Sequence, residues 1–149
     1  MIEIGNYCTI GKGCSFWIEG NNSSLKIGAH TSMTQIVHIN VQEDNMSIEL
    51  GKDCMLSNNI IIRSSDSHPI YVIESGKRIN SAKPVQIGNH VWIAPKTTIA
   101  KGSVIGDGSI IGSNTLVTKE IPANSLAVGM PARVVKTNVK WTRERIVPN

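Results

Sequence analysis

Residues 87–122 read IGNHVW IAPKTT IAKGSV IGDGSI IGSNTL VTKEIP, six hexads in succession. Isoleucine or valine returns every six residues, at Ile87, Ile93, Ile99, Ile105, Ile111 and Val117. A small residue follows it at Gly88, Ala94, Ala100, Gly106 and Gly112, with Thr118 the exception. The fifth position holds Val91, Thr97, Ser103, Ser109, Thr115 and Ile121. A strand repeats every two residues and a helix about every 3.6. A period of six with a small residue after the aliphatic is instead the hexapeptide signature of a parallel β-helix. Each hexad is one short flat strand and a corner, with the aliphatic pointing into a prism and the small residue easing the turn.

The pattern extends outward from that block. Its inward positions group as 4/10/16, 27/33/39, 50/56/62, 87/93/99 and 105/111/117. Five triplets predict about five triangular coils in one all-β domain over 1–149. At roughly 4.8 Å per coil they form a prism about 24 Å long. The interruptions are five extra residues between 16 and 27, five between 39 and 50, and nineteen between 62 and 87. Each follows the third hexad of a triplet, so all three should leave at one corner. Loops on a rigid repeat scaffold are where function concentrates, and 63–86 reads as the protruding active-site loop. After Val117 the pattern decays. Arg133–Lys136 is a candidate last strand, 137–149 a tail with a short helix expected over 138–146, and this end is expected to cap the stack.

Composition narrows the function classes. Apolar residues make up 40% and charged residues 17%, which fits a folded chain and not a disordered one. Aromatics are only 4%, few for an ordinary core but enough for a thin prism. No apolar run approaches the ~20 residues of a membrane span. Met1–Thr9 is patterned and polar, without the basic and apolar regions of a signal peptide, and the expectation is a cytoplasmic protein. Cys8, Cys14 and Cys54 sit at fifth positions with no CxxC pair, as packed free thiols in a reducing compartment do. The net charge of +4 is uneven: residues 96–149 hold eight basic and three acidic side chains, residues 1–95 seven and eight. That basic end suits a phosphorylated ligand. No basic run is interleaved with aromatics, so nucleic acid is not expected.

His68 stands six residues after Ile62, where the next inward aliphatic would fall. Pro69 holds it extended. An imidazole fixed on a rim suits general-base work; a turn histidine bonded to local backbone fits the same placement. Asp66 either orients that imidazole or faces solvent. His38 and Asn40, beside the second short loop, are candidates for hydrogen-bonding an acceptor or are plain surface residues. His30 and His90 share one hexad slot two coils apart, about 10 Å, and cannot share a metal. No close histidine pair is present, and no metal is expected.

The segment Ser65-Asp66-Ser67-His68-Pro69-Ile70-Tyr71, with Gly76-Lys77-Arg78-Ile79-Asn80, resembles the loop of hexapeptide-repeat O-acetyltransferases. Ile87–Ile93, Val117–Pro122 and Ala127–Val134 agree with it. The resemblance is strongest to enzymes that acetylate capsular and lipopolysaccharide sugars, and weaker to maltose and galactoside O-acetyltransferases. It implies a left-handed parallel β-helix, a homotrimer, acetyl-CoA as donor and a sugar or polysaccharide hydroxyl as acceptor. By it His68 is the catalytic base, Trp92 lines the site, and Pro95, Ser113, Thr118, Lys119, Arg133 and Lys136 contact acetyl-CoA. Lys136 stands where an arginine is commoner, and Ala94-Pro95 where a glycine-rich pair is. An amino sugar on a nucleotide carrier is the alternative acceptor. A trimeric zinc carbonic anhydrase needs three meeting histidines, and a non-catalytic solenoid gives no reason for the long loop. One face, about 16 Å for five residues of strand, separates His68 from Trp92. The site is therefore expected between neighbouring subunits.

Overall fold

The computed structural model describes residues 1–148. In chain order, β1 (Ile2–Ile4), β2 (Thr9–Ile10) and β3 (Ser15–Ile18) form coil one. Coil two is β4 (Ser24–Ile27) and β5 (Ser32–Val41), and coil three is β6 (Ser47–Leu50) and β7 (Met55–Arg63). In both of these the long strand serves two faces. Coil four is β8 (Val85–Ile87), β9 (Trp92–Ile93) and β10 (Thr98–Ile99). Coil five is β11 (Val104–Ile105), β12 (Ile110–Ile111) and β13 (Leu116–Val117). Then β14 (Glu120–Ile121) and β15 (Leu126–Val128) start a sixth, and β16 (Arg133–Lys136) follows. Every coil-to-coil pairing is parallel, and the fold is a left-handed parallel β-helix.

The sixth coil was not expected. Ile121 pairs in register with Ile105, and Ala127 with Ile111. Only three residues lie between Val117 and Ile121, where a full hexad has five, so the corner is shortened while the faces stay in register. β16 then turns back antiparallel to β15 and ends the stack. The helix expected over 138–146 does not form. That segment is extended along the corner between the first and second faces, held on successive coils by Trp141 and Arg143.

The inward aliphatics form the core: Ile27, Ile39, Leu56, Ile62, Ile93, Ile99, Ile105 and Ile111 are all 3% exposed or less. At the end of the stack, Ile4 and Ile10 remain 44% and 41% exposed. The small residue after the aliphatic serves close coil stacking. A Cβ at Gly28 would lie 2.4 Å from the Gly51 carbonyl carbon. The left-handed backbone falls two residues later, at His30, Asp53 and His90 with φ of 62°, 55° and 53°, and such positions favour short polar side chains. Fifth-position side chains bond the next coil: Thr31 Oγ1 donates to the Gly51 carbonyl at 3.1 Å, and Ser103 Oγ to that of Val117 at 3.0 Å. These bonds satisfy groups that would otherwise be buried unpaired.

All three long connections leave between the third face and the first, and they lie on one another. Asp44 Oδ1 accepts the Asn21 N–H at 2.7 Å, joining the first to the second. Ser64 Oγ accepts the Gln42 N–H at 2.9 Å, joining the second to the third. No helix of the described residues is long and apolar enough to cross a membrane.

Candidate active site

The chain leaves the prism at Ser64 and returns at Lys83, whose N–H donates to the Ser64 carbonyl at 2.9 Å. Between them Ile70–Ile79 forms a small hairpin, with Ile79 N–H to the Ile70 carbonyl at 2.9 Å and Val72 N–H to that of Lys77 at 2.9 Å. Asn80 is the hub of the loop and is 7% exposed. Its Oδ1 accepts the Ile70 N–H at 2.7 Å, and its Nδ2 donates to Asp66 Oδ2 and to the His68 carbonyl, both at 2.9 Å. Asn80 therefore fixes the backbone on both sides of Pro69. The His68 imidazole is exposed and makes no hydrogen bond among the described residues.

Asp66 does not orient that ring. Its carboxylate is taken by Lys101 Nζ and Asn80, and Lys101, with help from Asn80, holds it below the usual carboxylate range. Lys101 Nζ also donates to the Asn80 carbonyl at 2.9 Å. On the other flank Arg78 forks onto Glu43, Nη1 to Oε2 at 2.8 Å and Nη2 to Oε1 at 2.7 Å. Ser65 Oγ adds a bond to Glu43 at 2.7 Å. Arg78 and Ser65 hold the Glu43 carboxyl down to about 2. The roles of Glu43, Asn80 and Lys101 are not legible in the sequence because their partners lie 10 to 35 residues away.

Trp92 projects from β9 on the second face of coil four, paired with Met55 and Ile110. Its indole N–H is buried without a partner, and its ring lies 6.0 Å from that of Trp141. Trp141 stacks on His90 at 4.0 Å and 5°, and His90 Nδ1 is 2.7 Å from Asp53 Oδ2. Trp92 and His68 thus stand at opposite ends of the first face.

Thr118, Lys119 and Arg133 share a cleft of about 210 Å³ with Glu120, Ile121, Ala132 and Val134. Neither cation forms an ion pair among the described residues. Pro95 and Ser113 stack in the same slot of coils four and five, at the corner between the second and third faces, and the Pro95 carbonyl accepts the Asn114 N–H at 3.0 Å. Lys136 is exposed on β16. These six residues lie about the last coils, not in one pocket. His38 and Asn40 lie on the third face, in β5, where Asn40 lines a cavity of about 300 Å³ with Ser15, Phe16, Trp17, Gln42, Arg63 and Ser67. Ser67 neighbours His68. A shallow hollow of about 720 Å³ runs along the first face, lined by none of the predicted site residues.

The family model for the bacterial transferase hexapeptide (six repeats) matches residues 84–119. A polysialic acid O-acetyltransferase of Escherichia coli O1:K1 / APEC is 43% identical over 121 residues, 81% of this chain and 39% of the relative. A solved polysialic acid O-acetyltransferase superimposes with a TM-score of 0.85 at 38% identity, over 97% of this chain and 72% of that one. The chain belongs to the hexapeptide-repeat O-acetyltransferase family. A solved galactoside acetyltransferase in complex with coenzyme A is similar at a TM-score of 0.63 and 27% identity, over 87% of this chain and 64% of that one. The chain spans about two fifths of the length of its curated E. coli relative. Its Cys54 is a poor nucleophile: burial pushes the thiol up to about 11.

Proposed function

We propose that the protein transfers an acetyl group from acetyl-CoA to a hydroxyl of an acidic surface polysaccharide, with polysialic acid the first acceptor to test. The observation that carries this is the built loop: a buried asparagine fixes the chain around an exposed histidine whose ring is left free. His68 takes the proton of the acceptor hydroxyl as that oxygen attacks the thioester carbonyl. Coenzyme A leaves as its thiol. Backbone N–H groups at the corner are suited to stabilise the developing oxyanion. The unpaired Lys119 and Arg133, with Thr118 between strands, fit the phosphates of coenzyme A. Pro95 and Ser113 would flank its pantetheine arm, and Lys136 adds a point charge at the same end.

His68 and Trp92 are separated by the first face, so the site is completed between chains of a homotrimer. The hairpin tip supports that assembly, with Ile70, Tyr71, Ile73 and Ile79 exposed by 53%, 56%, 96% and 61%. A cytoplasmic location follows from the donor. The test is a turnover screen with acetyl-CoA against polysialic acid, neutral capsular polysaccharides, free sugars and nucleotide sugars. O-acetylation of the polymer supports the reading. Turnover confined to an amino group of a nucleotide sugar would replace it.

A further inference from the structure

The third face carries an outward ladder that the transfer chemistry leaves unused. Trp17 pairs with Asn40 and Asn40 with Arg63, on three successive coils. At roughly 4.8 Å per rung the outer two are about 10 Å apart, the scale of one sugar ring with its substituents. The ladder and its neighbours Ser15, Phe16, Gln42 and Ser67 line the open hollow of about 300 Å³, which adjoins His68 through Ser67.

Three features of the ladder point to a ligand. Trp17 is 60% exposed on a rigid strand, and its indole N–H donates to Glu19 Oε2 at 3.2 Å, which fixes the ring. Arg63 makes one bond, Nη2 to Ser67 Oγ at 3.1 Å, and no ion pair among the described residues. Its Nε is buried with no partner at all. A buried donor without an acceptor costs about 1–3 kcal/mol, so this guanidinium gains by turning toward an anion in the cavity. The nearby acids do not meet that need. Glu19 is engaged by Trp17 and Gln42, and Asp66 by Lys101 and Asn80. A guanidinium fork is matched by a planar carboxylate, and an apolar sugar face is matched by an exposed indole.

We infer that this ladder is the acceptor subsite, with Arg63 binding the carboxylate of an acidic sugar whose ring lies against Trp17. The inference rests on the O-acetyltransferase reading only for the role of the bound sugar; binding itself is separable. The Ser67 hydroxyl, held by Gln42 Oε1 at 2.7 Å, then links the carboxylate position to the His68 loop. Asn40, which lines the same hollow, remains to hydrogen-bond the sugar's hydroxyl and amide groups. A sugar without a carboxylate would leave Arg63 as it stands, with its Nε unmet.

The test measures binding of an α-linked sialic acid oligomer, and of its methyl ester, to the full chain by calorimetry. The acid should bind wild type about 10- to 100-fold more tightly than the ester does, the range for hydrogen bonds to a charged group. Arg63→Gln should bring the acid down to the level of the ester, and Arg63→Lys should fall between. Trp17→Ala should weaken acid and ester alike. Equal binding of acid and ester to wild type, or an unchanged constant in Arg63→Gln, would overturn the inference. The ester comparison needs no variant, so it decides even if Arg63→Gln fails to fold. Carboxylate-dependent binding without acetyl transfer would sustain the subsite and remove the proposed function. Acetyl transfer to neutral sugars at equal rates in wild type and Arg63→Gln would do the reverse.

Discussion

The 64–83 loop and the 137–148 tail both lie outside the stacked strands, and they are held in opposite ways. The loop is tied by polar side chains: Asn80 inside, with Lys101 on Asp66 and Arg78 on Glu43 at its flanks. The tail is tied mainly by one buried ring and one guanidinium, with a single backbone bond from the Val139 N–H to the Asn124 carbonyl at 3.0 Å. Trp141 is 7% exposed, stacks on His90 and donates its indole N–H to the His90 carbonyl at 2.8 Å. Arg143 bonds Asp53 Oδ1 at 2.6 Å, Ser32 Oγ at 3.0 Å and the carbonyls of His30 and Cys54 at 3.2 and 2.8 Å. Burial pushes the Asp53 carboxyl up, but Arg143 and His90 together bring it below its ordinary value. The loop's geometry therefore depends on many small polar terms, whereas the tail's position depends mainly on two residues. A loop that presents a catalytic group needs the first arrangement, because hydrogen bonds fix direction as well as distance.

Asn80→Ala should give the largest effect. It leaves the Ile70 N–H and the His68 carbonyl without their Asn80 partner, takes one of two partners from the Asp66 carboxylate, and frees the backbone beside His68. Turnover should fall on the order of 10²-fold, as for a misplaced catalytic group, with faster hydrogen exchange confined to 64–83. Turnover near wild type would show that the loop is held without its hub.

Trp141→Ala should act on the other region. A buried tryptophan cut to alanine costs about 3–5 kcal/mol, but a tail that detaches locally limits the loss to its own docking energy. The expected outcome is protease sensitivity in 137–148 and a smaller fall in melting temperature than for a core Ile→Ala. A collapse of the whole prism would mean that the tail is part of the cooperative unit.

Acid should act more gently and on both regions, on the loop through Glu43 and Asp66 and on the tail through Asp53. The Glu43 carboxyl is depressed in the folded state, so its contribution is complete above its unfolded value near 4.5 and is lost as pH falls toward about 2. Asp66 is also depressed and shifts stability in the same direction. Exchange protection in the loop should drop across that window, and Glu43→Gln should remove most of the dependence. A loop whose protection is flat from pH 5 to 2 would contradict the ionic account.

The inward positions of coils one to five were legible because each hexad meets the same environment, and the period alone states which side chain faces inward. The sixth coil was not, since Thr118–Glu120 shortens the corner and breaks the period while Ile121 keeps its register with Ile105. The tail was misread because Trp141 and Arg143 are placed by His90 and Asp53, 51 and 90 residues away, and local periodicity carries no trace of them. His68 and its rim were visible from the missing aliphatic after Ile62. The roles of Asn80 and Arg63 were not, because an asparagine hub and a guanidinium without an ion pair are defined only by what surrounds them.

The central claim is that the loop exists to present His68 as a general base. The direct measurement is turnover with acetyl-CoA and a saturating acceptor for His68→Ala, set beside its melting curve. The exposed imidazole is unbonded, so the change in stability should stay below about 0.5 kcal/mol while turnover falls about 10²–10⁴-fold. Retained turnover, or a loss of activity matched by a loss of folded protein, would contradict the account.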